Sequence, residues 1–228
     1  MKEFTEVVGW VAVIVTTLIM LPQLISIYRS KNTKKINPFS FWILHFSFSI
    51  WLFYGYLINN IQITTSNLIA TFISTLTIYA LYRYSYKPTK KWNWIYIPLS
   101  FVLIFVSIFF ILNISGVFIA KNSSLTFAFS IIAPLITTTC FIPNILIGIK
   151  KETIKYLSLS FVIIMFAFNI LWIIYFSLAI VVYKNQANNF YIPLAFQCIA
   201  LVIYGIQFYF WLFQKNKEKY SQKKIKTA

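Results

Sequence analysis

The chain has no aspartate, four glutamates, one histidine and two cysteines among its 228 residues. Paired carboxylates for acid–base catalysis, a cluster of metal ligands and a Gly-x-Ser-x-Gly nucleophile turn are therefore all missing. Enzymatic chemistry has nothing to be built from, and neither a metal nor another cofactor is expected. Charge is scarce too: 11% of residues are charged, against about 25% in an ordinary soluble domain, too few for a water-facing surface. Cys140 and Cys198 lie in apolar stretches without metal-site spacing and read as small buried hydrophobes. The N-terminus lacks a basic n-region and a small-residue cleavage site, so the first apolar run is expected to be a retained helix.

What is abundant is apolar and aromatic: 60% hydrophobic residues, 20% aromatic, and a mean hydropathy of +0.77. Seven apolar runs, near 7–28, 38–58, 63–84, 94–118, 125–149, 157–182 and 190–213, are each about long enough to cross ~30 Å of hydrocarbon as a helix. They are apolar on every side, unlike the short alternating segments of a membrane barrel. The expected fold class is an all-α integral membrane protein with seven transmembrane helices.

The net charge of +16 is distributed topologically. Seventeen of the 20 basic residues fall after runs one, three, five and seven, leaving Lys2, Lys121 and Lys184 on the other side. By the positive-inside rule the N-terminus is outside and the C-terminus cytoplasmic. No extended basic face interleaved with aromatics appears, so nucleic acid is not an expected partner. The bilayer is, and the lysine tail can lean on anionic lipid. Enrichment in Ile, Lys, Asn and Phe points to an AT-rich bacterial genome and hence to the plasma membrane.

An internal repeat organises the runs. Thr16, Thr17, Pro22 and Gln23 return as Thr137, Thr138, Pro143 and Asn144, each 121 positions later. Trp51 and Tyr54 return as Trp172 and Tyr175 at the same offset. Two three-helix units joined by one helix share an orientation, giving a 3+1+3 bundle of parallel triple-helix repeats. The units are 1–90 and 121–214, with linker helix 91–120 and basic tail 215–228. Such repeats bring a binding site to the midplane between them.

Leu-Pro-Gln-Leu at 21–24, the basic stretch at 29–35 and the Trp-x-x-Tyr of run two together resemble the PQ-loop superfamily, with its SWEET and SemiSWEET sugar transporters. The second copy departs from the pattern, reading Pro143-Asn144. The resemblance implies a transporter of a small neutral solute, sugar-like, working by alternating access, with a homo-oligomer left open; without an intramembrane carboxylate a facilitator is expected over a proton symporter, an alternative that His45 leaves open. It further implies that Trp51 and Asn67 line the substrate pocket, with Trp172 opposite. Asn188, 16 residues after Trp172 as Asn67 is after Trp51, would complete it, unless a loop insertion brings Gln197 or Asn189 there instead. Two other architectures share the layout: a nicotinamide riboside or nucleoside transporter, and a cargo receptor of the KDEL-receptor kind.

The residues themselves support these roles and leave plainer ones open. Pro22 and Pro143 cannot donate to the carbonyls of Leu18 and Thr139, so each run should bend there, as a hinge of an inner gate or as a static kink. Freed carbonyls need partners in lipid, which Gln23, Asn144, Thr17 and Thr138 can supply. The tryptophans either enclose a ring or anchor helices at the interface. Ser47 and Asn169 lie one turn before Trp51 and Trp172, on the same faces. His45 sits about 120° from the Trp51 face, which suits an interhelical hydrogen bond better than a proton relay.

Overall fold

The computed structural model describes residues 1–31, 33, 36, 38–84, 94–117, 123–140, 142–151, 154, 157 and 159–227. Among them no strand occurs. The helices are α1 (Lys2–Leu18), α2 (Leu21–Ser30), α3 (Phe39–Leu57), α4 (Ile61–Arg83), α5 (Tyr96–Ile114), α6 (Ser123–Thr139), α7 (Ile142–Lys151), α8 (Leu159–Val182) and α9 (Asn188–Thr227). Lys34, Lys35, Lys87, Lys90, Lys91, Lys121 and Lys155 lie outside the described residues, as do the expected boundaries at 90–91 and 120–121.

Five helical stretches are long and apolar enough to cross a membrane: Lys2–Ser30, Ile61–Arg83, Tyr96–Ile114, Leu159–Val182 and Asn188–Glu218. The chain is an all-helical, multi-pass membrane protein. Helix α3 spans 19 residues but carries Ser40, His45, Ser47 and Ser49, all buried, so its polarity faces protein and not lipid. Helix α6 is 17 residues long because the chain breaks at its end.

Runs one and five each form two helices. Pro22 stands in the first turn of α2, where a missing N–H is tolerated. The Leu18 carbonyl loses its donor, and the Ile19 N–H turns back to the Thr16 carbonyl at 3.3 Å. Ile19 (φ −51°, ψ −50°) and Met20 (φ −86°, ψ −16°) keep right-handed helical dihedrals, so the run bends without reversing. The same device recurs around Cys140, between α6 and α7, with Pro143 in the first turn of α7.

Helix α4 lies between α1 and α3, and α9 lies between α6 and α8. The two groups meet twice, α1 against α8 and α3 against α6, so six helices close a ring in the order α1, α4, α3, α6, α9, α8. Helix α5 stands outside it on α3 and α4, where Phe105 and Phe109 pack on Phe53 at centroid distances of 6.2 and 4.8 Å.

Two sequence expectations are corrected. Cys140 is buried, but Cys198 is exposed on the outer face of α9, where a small apolar side chain suits lipid as well as a core. Helix α9 does not stop near Phe213 but continues to Thr227, because no glycine or proline follows Gly205 and the tail is rich in lysine and glutamine.

The approach of α1 to α8 depends on Gly9. A Cβ there would lie 2.8 and 3.1 Å from the Tyr175 ring, whereas one at Gly205 would lie 3.7 Å from Phe166, an ordinary contact. Gly9→Ala should therefore destabilise the protein by about 1–3 kcal/mol through overpacking, with Gly205→Ala close to neutral. Thermal unfolding in detergent checks this; equal melting temperatures for the two variants would mean that α1 and α8 can part without loss.

Candidate substrate cavity

At the centre of the ring is a cavity of about 20 Å³, lined by Thr16, Trp51, Asn67, Thr137, Trp172 and Gln197 with Phe48, Ile63, Phe168 and Phe176. That volume holds roughly one water, far below the ~300 Å³ and upward of small-molecule sites.

Its walls are built by the repeat. Threonines hydrogen-bond their own helices at i−4, so Thr16 Oγ1 donates to the Ala12 carbonyl at 2.7 Å and Thr137 Oγ1 to the Ala133 carbonyl at 3.0 Å. Each hydroxyl keeps its lone pairs for a tryptophan from the other group. The Trp172 indole N–H donates to Thr16 Oγ1 at 2.9 Å, and the Trp51 indole N–H donates to Thr137 Oγ1 at 2.7 Å. All six residues obey the 121-residue offset.

The ends are closed by aromatic side chains. Toward Met1, the Tyr54 hydroxyl donates to the Asn189 carbonyl, and Asn60 Nδ2 donates to the Tyr175 hydroxyl at 2.7 Å. Asn60 also caps α4, accepting from the Ile63 N–H at 3.0 Å, so one side chain starts a helix and grips the opposite group. Toward Arg29, Phe41 and Phe161 meet across the groups at a centroid distance of 6.2 Å. Just beyond α8, partial burial and then the nearby Glu6 carboxylate push the Tyr183 phenol above its ordinary pKa.

The expected site residues are distributed as follows. Trp51, Asn67 and Trp172 line the cavity together. Asn67 Nδ2 donates to the Ile63 carbonyl at 2.8 Å. Ser47 does not line the cavity but supports it through a 2.5 Å hydrogen bond to Thr137 Oγ1. Asn169 is buried behind the wall, with Nδ2 donating to the Met165 carbonyl at 2.6 Å and Oδ1 unpartnered. Asn188 is exposed at the start of α9, and Gln197 stands in the cavity in its stead with Oε1 unpartnered. The offset from Asn67 to Gln197 is 130, nine residues beyond the repeat: a longer α8 and a short 3-10 turn (Lys184–Gln186) start α9 six residues late, and Gln197 lies three positions further along its helix than Asn67.

Gln23 is fully buried on α2, and the Asn144 side chain lies outside the described residues. Thr17 Oγ1 bonds the Ile14 carbonyl at 2.7 Å, and Thr138 Oγ1 bonds the Phe196 carbonyl of α9 at 3.4 Å. Near the second break the Tyr204 hydroxyl of α9 donates to the Thr137 carbonyl at 2.9 Å, two residues before the carbonyl that Pro143 frees. His45 is buried outside the cavity lining, with Nδ1 2.7 Å from Ser74 Oγ of α4.

Phe176 is one of the wall residues the repeat pattern hides, since its counterpart is Gly55; Phe48 and Phe168, matched by Asn169 and Ser47, are others. The Phe176 ring stacks on Trp51 (centroids 6.3 Å, planes 11° apart) and leans on Trp172 (5.2 Å, 35°), filling the space between the indoles.

Residues 6–91 match the family described as "Sugar efflux transporter for intercellular exchange". The sugar transporter SemiSWEET of Leptospira biflexa serovar Patoc is 27% identical over 74 residues, 32% of this chain and 87% of that protein. No solved structure matches the chain.

The reciprocal bonds have a measurable weight. Thr16→Val and Thr137→Val each leave a buried indole N–H without an acceptor, at a cost of about 1–3 kcal/mol. Thr17→Val, whose hydroxyl is exposed and bonds only its own helix, should cost less than ~0.5 kcal/mol. Unfolding of the three variants in detergent discriminates; equal loss from all three would reduce the threonines to helix-packing residues.

Proposed function

Starting from a SWEET-like chain, we propose that the protein is a membrane transporter of a small neutral solute of the sugar class, acting as a facilitator by alternating access. The observation that carries this reading is the cavity shared by the two groups, walled by Trp51 and Trp172 and edged by Asn67 and Gln197. Indole faces suit the apolar face of a pyranose ring, and the amides replace hydrogen bonds its hydroxyls lose on leaving water. Charged solutes find no counter-ion among the lining residues.

In this reading the chain crosses the bilayer seven times. The bends in α1–α2 and α6–α7 each make one crossing, and α5 joins two parallel triple-helix units. The N-terminus is outside and the basic end cytoplasmic, as the positive-inside rule requires. Opening requires the groups to rock apart at one end, with Phe176 yielding the space between the indoles to the solute. The breaks before Pro22 and Pro143 are the hinges of the cytoplasmic end. The indole–threonine bonds lie at the fulcrum.

The substrate class is tested by counterflow in proteoliposomes with hexoses, disaccharides, nucleosides and neutral amino acids. Sugar exchange is expected, reduced about 5- to 100-fold in Trp51→Ala and Asn67→Ala through loss of ~1–3 kcal/mol of binding. Preference for a nucleoside, or undiminished exchange in both variants, would overturn the assignment.

The hinges generate a separate expectation. Pro22→Ala and Pro143→Ala restore donors for the Leu18 and Thr139 carbonyls and should slow exchange while leaving sugar binding, read by tryptophan fluorescence, nearly intact. Wild-type exchange in the double variant would make both bends static.

A further inference from the structure

A second concavity lies away from the ring centre, a groove of about 670 Å³ between α2 and the start of α8. Leu18, Pro22, Ile25 and Arg29 line it at alternating four- and three-residue spacing, one stripe of a helix about 17 Å long. The buried stripe of the same segment is Thr16, Met20, Gln23 and Ile27, each two residues earlier and hence about 200° away. The groove therefore faces the bilayer and not the solute cavity.

Its chemistry is graded along its length. Toward the Leu18 end it is lined by Leu18, Leu21 and Ile164, and toward the Arg29 end by Ser26, Arg29 and Ser160. No acidic residue is among the lining residues, and Arg29 has no hydrogen bond or ion pair among the described residues. An unneutralised guanidinium beside hydroxyls, above an apolar trough, matches an amphiphile with a phosphate head.

The repeat provides an internal comparison. At the 121-residue offset Arg29 becomes Lys150 and Ser26 becomes Ile147, whereas Ser160 keeps a serine, Ser40, at an offset of 120. The hydroxyl of Ser26 is gone, and the forked guanidinium, which suits a phosphate bidentately, is replaced by a point charge. The matched position keeps the basic charge that topology asks for but not the phosphate-binding set, so topology alone does not account for the groove.

We propose that the groove is a phospholipid site, with the lipid phosphate held by Arg29 and the hydroxyls of Ser26 and Ser160, and one acyl chain lying along Ile25 and Leu21 to Leu18. A lipid there spans the bend before Pro22 and touches both three-helix groups. The site is independent of the solute and does not rest on the transport reading.

Native mass spectrometry of the full chain in detergent, titrated with phosphatidylglycerol, tests it. One lipid per chain should be retained by the wild type, about five- to ten-fold more weakly by Arg29→Gln, and with wild-type affinity by Lys150→Gln. Ser26→Ile, which copies the second repeat into the groove, should weaken retention while preserving charge. Glycerol phosphate, the head without chains, should fail to compete at millimolar concentration. Equal weakening by Arg29→Gln and Lys150→Gln would reduce the effect to surface charge and overturn the proposal. So would unchanged retention in both Arg29→Gln and Ser26→Ile, or competition by glycerol phosphate.

Discussion

Two indole N–H groups, buried where no water competes, must each find an acceptor, and each finds it on the opposite three-helix group. Trp51 reaches Thr137 and Trp172 reaches Thr16. A lost bond of this kind leaves an unpaired donor in an apolar interior, so both must form for the groups to close. Much of the central architecture follows. Small residues on α1, Gly9 and Ala12, let the helices come near enough, and the threonine hydroxyls are fixed by donating to Ala12 and Ala133 before they accept. The cavity is what remains between the two bonds.

Departures from symmetry sit at this junction. Phe176 stands opposite the position of Gly55, and Gln197 answers Asn67 with one more methylene. In two identical units a ring the size of Phe176 would have to be present twice, and both could not stack between the same two indoles. A fused pair can keep one filler and one glycine, and Gly55 is itself needed where α3 turns into α4: a Cβ there would lie 2.9 Å from Ile63 and Thr64. One chain carrying both groups can thus hold an asymmetric centre that two identical groups could not have.

The fold was legible where the bilayer constrains it. Apolar run length and the proline pairs located the helices and their breaks, and the 121-residue offset aligned Thr16 with Thr137 and Trp51 with Trp172. What escaped depended on distances that sequence spacing does not carry. A constant offset points to Asn188, but α9 starts six residues later than the offset places it, and Gln197, three positions further along α9 than Asn67 along α4, takes that place. Tyr204 and Phe176 were missed because neither has a like residue at its matched position, so no repeat could point to them. Ser47 was assigned the right neighbourhood but reaches the site through Thr137.

How firmly the groups are joined bears on whether they can separate. Most hydroxyls of α4 are spent within their own group: Thr64, Ser66, Thr71, Thr75 and Thr77 all donate to carbonyls three or four residues back or just outside their helix turn. His45 takes Ser74 inside the same group. The polar bonds that cross between the groups include the two indole–threonine bonds, Ser47 to Thr137, and the tyrosine contacts of Tyr54 and Tyr175. At about 0.5–1.5 kcal/mol net each, the tyrosine contacts at the Met1 end hold a few kcal/mol, comparable to what a bound solute can supply. The α4 hydroxyls thus bind within their own group, while the polar bonds between the groups gather at the centre and at the Met1 end.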